Sequence, residues 1–254
     1  MVFMSKKRKI HYSELNDSSK RIIMIASSFV VIIILFIAFY FFKQGDNFNH
    51  IKVIKSNYLV YTKVEESVND YDVIVPYVNI KGEIGSYVNN DIDQFTSTFI
   101  NNQKCDISYE YSISGDLLSI IIKILDYDIE YAPLIYFKSY NINLKTLELY
   151  SNDQLMNLFG INDYSDVESV IASTFENYYD DIVNKGYYHR EECDYDCFLL
   201  YRGIEDYLSD ISYYVRDGNL IVFKPFQPYS IFGEEEYFTD KSFEIFIKGS
   251  SKKE

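Results

Sequence analysis

Histidine is scarce in this chain: His11, His50 and His189 are the only three in 254 residues. They are too few and too scattered for a multi-histidine metal site, and no His-Glu-x-x-His pair occurs. Cysteine is equally sparse, with Cys105, Cys193 and Cys197. A thiolate zinc site would want a second cysteine pair, and only His189 stands near the one pair present. The ten glycines form neither a phosphate-cradling loop nor a Gly-x-Ser-x-Gly elbow. With four prolines, the chain also has no Pro-rich or Gly/Ser-rich linker to divide it. Basic residues are the minority, 24 against 38 acidic ones, which disfavours a nucleic-acid partner. No metal and no cofactor is expected.

A nucleophilic cysteine needs a base within reach, and His189, four residues before Cys193, would serve only if that stretch were helical. Carboxylate pairs of the glycoside-cleaving kind can be drawn from any acidic surface, and the plainer reading of these acids is a solvated face. No catalytic residue is assigned, and the chain is expected not to be an enzyme.

What the sequence does hold is one long apolar run. Ile22 to Phe42 is 21 residues without a charge, a proline or a glycine. As a helix it would be roughly 32 Å long, close to the ~30 Å hydrocarbon core of a bilayer. The run is longer than a signal-peptide core and ends in Phe39-Tyr40-Phe41-Phe42-Lys43, with no small-x-small cleavage site. Residues 1–21 carry Lys6, Lys7, Arg8, Lys9, Lys20 and Arg21 against Glu14 and Asp17. The positive-inside rule then places this tail in the cytoplasm, whether translation starts at Met1 or Met4. The expected organisation is a basic cytoplasmic tail 1–21, a transmembrane helix 22–42, a connector and first strand 43–67, and an extracytoplasmic domain 68–254. The expected location is a bacterial cell membrane, crossed once.

Beyond the run stand 18 basic and 36 acidic residues, a net charge of −18. Such a charge attracts cations and basic proteins. Cys193 and Cys197 can close a small loop by a disulfide, which an exterior location permits, or remain free thiols; their spacing alone does not bring the Cα atoms within bridging range.

The local patterns indicate an α+β fold: an antiparallel sheet with packed helices, preceded by the transmembrane helix. Ile107, Tyr109, Tyr111 and Ile113 alternate with polar residues, and Gly115-Asp116 separates them from Leu118, Ile120, Ile122 and Ile124, which reads as a hairpin. Further strands are expected at 73–78, 133–142, 212–215, 220–223 and 243–248, with Asp217-Gly218 as a type I′ turn. Ile84, Val88, Ile92, Phe95 and Phe99 line one face of a helix, as do Val167, Ile171, Phe175, Tyr178 and Ile182. Ser165 and Glu168 suggest a capping box at the start of the second helix, and Gly186 its end. A shorter helix is expected over 197–208.

The order of these segments carries a resemblance. Val75-Pro76-Tyr77-Val78-Asn79-Ile80 precedes a helix with Val88-Asn89-Asn90-Asp91-Ile92. Two hairpin strands follow, then Tyr136 to Thr146, ending in Asn143-Leu144-Lys145-Thr146, and a helix Gln154-Leu155-Met156-Asn157-Leu158-Phe159. The Asp217-Gly218 hairpin leads through Val222 to Gly233. The pattern resembles the RsiV-like extracytoplasmic domain family, the ectodomain of a lysozyme-sensing anti-sigma factor, also found beside a peptidoglycan deacetylase domain. The likeness covers roughly residues 68–248. Two features depart from the family: no glycine follows Thr146, and Ile231-Phe232-Gly233 stands where the family has Ile-Ala-Pro.

The resemblance implies a binding or sensing module at the cell envelope, with a basic wall-lytic protein such as lysozyme as its ligand. The other readings are an envelope scaffold that binds another envelope protein, and a wall-acting enzyme. The expected ligand-binding residues lie in the closing loop, where Phe226, Tyr229 and Phe232 offer large apolar contacts and Glu234, Glu235 and Glu236 would steer a cation.

Overall fold

The structure is a computed structural model that describes residues 58–68, 70–101, 104–127, 134–187, 189–227 and 243–249. The chain divides into two units, 1–50 and 51–254, and all described residues belong to the second. The basic tail and the expected span 22–42 lie outside the described residues. Among the described residues no helix is long and apolar enough to cross a membrane.

The described elements are of the expected α+β class. β1 (Val60–Val68) and β2 (Tyr71–Val78) form an antiparallel hairpin. Helix α1 (Glu83–Ile100) then carries the chain to β3 (Cys105–Ser114), which returns parallel to β2. This one parallel junction is confined to a single bridge, Val73 to Ile107. Residues 73, 75 and 77 of β2 turn their backbone groups toward β1, so those of 72, 74, 76 and 78 face β3. Residue 76 is a proline with no N–H to give, so the ladder stops there.

β3, β4 (Leu117–Asp126) and β5 (Leu134–Asn143) follow as a meander, with ten paired residues at each junction. Gly115, at φ 63, opens the tight turn between β3 and β4. β6 (Glu148–Leu149) covers only Ile142 and Asn143 of β5. β7 (Ser212–Arg216), β8 (Asn219–Phe223) and β9 (Glu244–Gly249) make a second, three-stranded antiparallel sheet. Asp217 and Gly218 both have positive φ, 54 and 73, as a type I′ turn requires.

β4 is apolar on both faces because both faces are covered. Leu118, Ile120, Ile122 and Ile124 are fully buried on the side that Tyr140 ties to α1. Leu117 and Ile121 join the cluster formed with the second sheet and with helix α3 (Tyr164–Asn184). Each such side chain contributes about 1.5–3 kcal/mol by leaving water.

The helices differ from expectation at their ends. α3 is capped by Asp163, whose carboxylate accepts from the Ser165 N–H at 2.9 Å, and not by Ser165. The full capping box sits instead on α2 (Asn152–Leu158), between Ser151 and Gln154. In α3 the buried stripe passes through Tyr179 rather than Tyr178, since either lies within one turn of Phe175 and Ile182; the Tyr179 hydroxyl finds the Cys193 carbonyl at 2.8 Å. α4 (Tyr195–Tyr201) starts earlier and stops sooner than 197–208. Gly203, at φ 67, leaves the helical conformation just past its end.

Candidate functional site

The residues that carry the sequence resemblance are internal connectors. Asn89 of α1 is buried; its Oδ1 accepts from the Val78 N–H at 2.8 Å and its Nδ2 donates to the Val78 carbonyl at 2.9 Å. The side-chain amide thus does for β2 what a neighbouring strand would do. Asn79 donates through Nδ2 to the Tyr58 carbonyl (2.8 Å) and through its own N–H to the Leu59 carbonyl (2.7 Å). Asn141 couples the two sheets: it accepts from the Ser119 hydroxyl at 2.5 Å and donates to the Tyr213 carbonyl at 2.9 Å. The Val215 N–H donates to the same Ser119 oxygen. Asn143 closes the next turn by accepting from the N–H groups of Lys145 and Thr146. The position after Thr146, a glycine in the family, is Leu147 at φ 58. Leu147 therefore takes a left-handed conformation to which glycine is better suited.

The expected ligand residues divide. Phe226 is a core aromatic, 6% exposed, with its ring 5.2 Å from Phe175 and 4.6 Å from Phe243; the little of it that is exposed lines the cleft described below. Its burial follows from its place three residues after β8, where the chain packs on Phe175 and Tyr178 of α3. Tyr229, Phe232, Glu234, Glu235 and Glu236 lie outside the described residues.

Cys193 and Cys197 form a disulfide, with Cα atoms 5.3 Å apart. Their loop is held against α3 by the Tyr179 hydroxyl and by Arg190, which pairs with Asp180. Asp194 caps α4 by accepting from the Cys197 N–H. A bonded Cys193 has no thiolate, so pairing with His189 makes no nucleophile; the Cys193 N–H donates to the His189 carbonyl at 3.0 Å. Cys105 is buried, and its thiol is pushed up first by burial and then by Asp126 and Asp106. Among the described residues no group of three or more metal-binding side chains gathers.

The clearest concavity is a cleft of about 750 Å³ along the outer edge of β5. Residues 134–139 form its floor; Phe95 and Lys138 stand on the α1 side, and residues 210–212 and 225–227 on the side of the second sheet. The α1 wall is braced. The Tyr140 hydroxyl donates to Asp91 at 2.9 Å, and Lys138 pairs with the same carboxylate oxygen at 2.8 Å, lying over the Phe95 ring. Burial, then this bond to Asp91, pushes the Tyr140 phenol well above its ordinary value. The opposite wall is braced by two buried cations. Arg202 and Gln227 exchange hydrogen bonds, each at 2.9 Å. Lys224 places its ammonium on the carbonyls of Asp206 and Ser209, both at 2.7 Å, and on the Ser209 hydroxyl; burial lowers its pKa.

Nothing in the local sequence patterns marked this cleft. Its floor reads as an ordinary strand, and its walls come from segments remote in sequence.

No family profile matches the chain, and no curated protein matches it. Among solved structures, the chain is similar to the crystal structure of a member of the DUF3298 family from Bacteroides fragilis. The two are 12% identical over 74% of this chain and 88% of that one, with a TM-score of 0.35.

Proposed function

We propose that this protein is a membrane-anchored, non-catalytic binding module, held by residues 22–42 with the unit 51–254 outside the cell, and that it recognises a basic wall-lytic protein. One observation carries the reading: a 21-residue uncharged run is followed by a polypeptide of net charge −18 whose folded unit contains a disulfide. Disulfides persist in oxidising exteriors, which agrees with the orientation expected from the basic tail. An acidic surface raises the encounter rate with a cationic partner. The resemblance to the RsiV-like family supports lysozyme as that partner.

The test uses the full chain in nanodiscs of zwitterionic lipid. Binding to a c-type lysozyme is measured at low and physiological salt, with cytochrome c as an equally basic control. Lysozyme binding that survives physiological salt, with none to cytochrome c, is the expected result. Weak, salt-sensitive binding to both would reduce the interaction to charge alone. Binding to neither would remove the lysin ligand and leave the envelope scaffold as the better account. Orientation is checked by an impermeant maleimide on intact cells: Ser251→Cys is labelled and Ser5→Cys is not.

A further inference from the structure

Among the described residues, the floor of the cleft is a strand edge that is paired only at one end. The even-numbered residues of β5 point their backbone groups at β4, so those of Ile135, Phe137 and Ser139 point outward. Further along, this lane is occupied. β6 pairs with Ile142 and Asn143, and the Tyr150 N–H donates to the Asn141 carbonyl at 2.8 Å. The chain then turns away at Ser151, the cap of α2. Over the rest of the lane, among the described residues, one bond meets these outward groups: the Ser212 hydroxyl donates to the Phe137 carbonyl at 3.2 Å.

We propose that this lane is a strand-addition groove. It takes an extended segment of a partner polypeptide, collinear with β6 and antiparallel to β5, with apolar side chains at alternate positions and basic residues between them. The inference rests on the binding-module reading for the charge of the partner. N–H groups at 135, 137 and 139, unfilled among the described residues, match the carbonyls of an added strand, and the carbonyls of Ile135 and Ser139 match its donors. The six floor residues give it about 20 Å of contact. Phe95 and Ile211 stand on opposite sides, which favours apolar side chains. The edge is flanked by walls from α1 and from residues 210–212 and 225–227, which suits a single extended segment better than the edge of another copy of this chain. The net charge of −18 favours basic residues at the positions that face water.

The test uses the full chain in detergent micelles, with a blocked peptide of alternating valine and lysine as probe. Hydrogen exchange is resolved to single amides. In the free chain the amides of Ile135, Phe137 and Ser139 should exchange about a hundredfold faster than those of Tyr136 and Lys138, and the peptide should slow them. N-methylation at every second residue of the peptide removes its donors and should weaken binding about tenfold. Ser139→Pro deletes one outward N–H but no bond to β4, so the fold is kept, and binding should fall by a similar factor. The proposal is overturned by slow exchange of the three outward amides in the free chain. It is equally overturned by a peptide that gives no protection, or by equal binding of the N-methylated peptide. Lysozyme capture separates this inference from the reading beneath it. Peptide protection without capture refutes the lysozyme ligand and leaves the groove; capture without peptide protection refutes the groove alone.

Discussion

Two side chains carry more of the architecture than their size suggests. Asn89 fills both backbone groups of Val78, so Asn89→Ala leaves a buried N–H and a buried carbonyl without partners. The expected cost is about 2–3 kcal/mol, read as a lower urea midpoint with an unchanged slope; a shift under a third of that would mean that water replaces the amide. Lys224 holds residues 206–209 through three donors, and Lys224→Met is expected to cost about 2–3 kcal/mol for the same reason. Leu147 is the opposite case. A leucine in the left-handed region is strained by about 1–2 kcal/mol, part of which glycine returns through the entropy of the unfolded chain. Leu147→Gly should therefore raise stability by about 1 kcal/mol, and calorimetry showing a fall would locate the stabilising role in the leucine side chain instead.

At the scale of elements, the short helix α4 illustrates how a weak segment is held. Seven residues are too few for a helix to persist alone. α4 is kept by the Asp194 cap, by Phe198 in the core and by the disulfide at its start. The bridge closes a loop of four residues' separation, for which chain entropy allows about 2 kcal/mol. Replacing Cys193 and Cys197 with serine should cost about that much. It should also speed amide exchange over residues 190–204 while leaving β3–β5 protected. Uniform loss of protection across both sheets would show that the bridge supports the whole unit. The parallel junction of β2 and β3 is a second element-level result: its single bridge follows from where Pro76 falls in the alternation.

For the whole molecule, the tyrosines set the alkaline limit. Tyr140, Tyr178, Tyr195, Tyr213 and Tyr214 are all held above the ordinary phenol value of 10.0, in each case first by burial. The unfolded chain releases these protons near that value and the folded chain does not. Their contribution is thus intact below about pH 10 and is lost as pH rises beyond it. Exposed tyrosines such as Tyr58 and Tyr87 contribute to the absorbance of the native chain, so the signal to read is a distinct late step in tyrosinate absorbance that coincides with the loss of ellipticity. Loss of ellipticity with no accompanying step would mean that these phenols are reached by solvent in the native state.

The sequence by itself determined the periodic features: the hairpins around Gly115-Asp116 and Asp217-Gly218, the faces of α1 and α3, and the α+β class. These follow from local rules, since alternation, turn chemistry and helical spacing act over a few residues. The sequence also displayed Asn79, Asn89 and Asn143 as a pattern without giving their purpose, because the purpose of Asn89 is Val78, eleven residues away. Only the tertiary structure decided that Phe226 is core, that Cys193 and Cys197 are bonded, and that the edge of β5, among the described residues, lines a cleft. Each of these depends on which distant segment packs beside the residue, and burial is a property of neighbours in space.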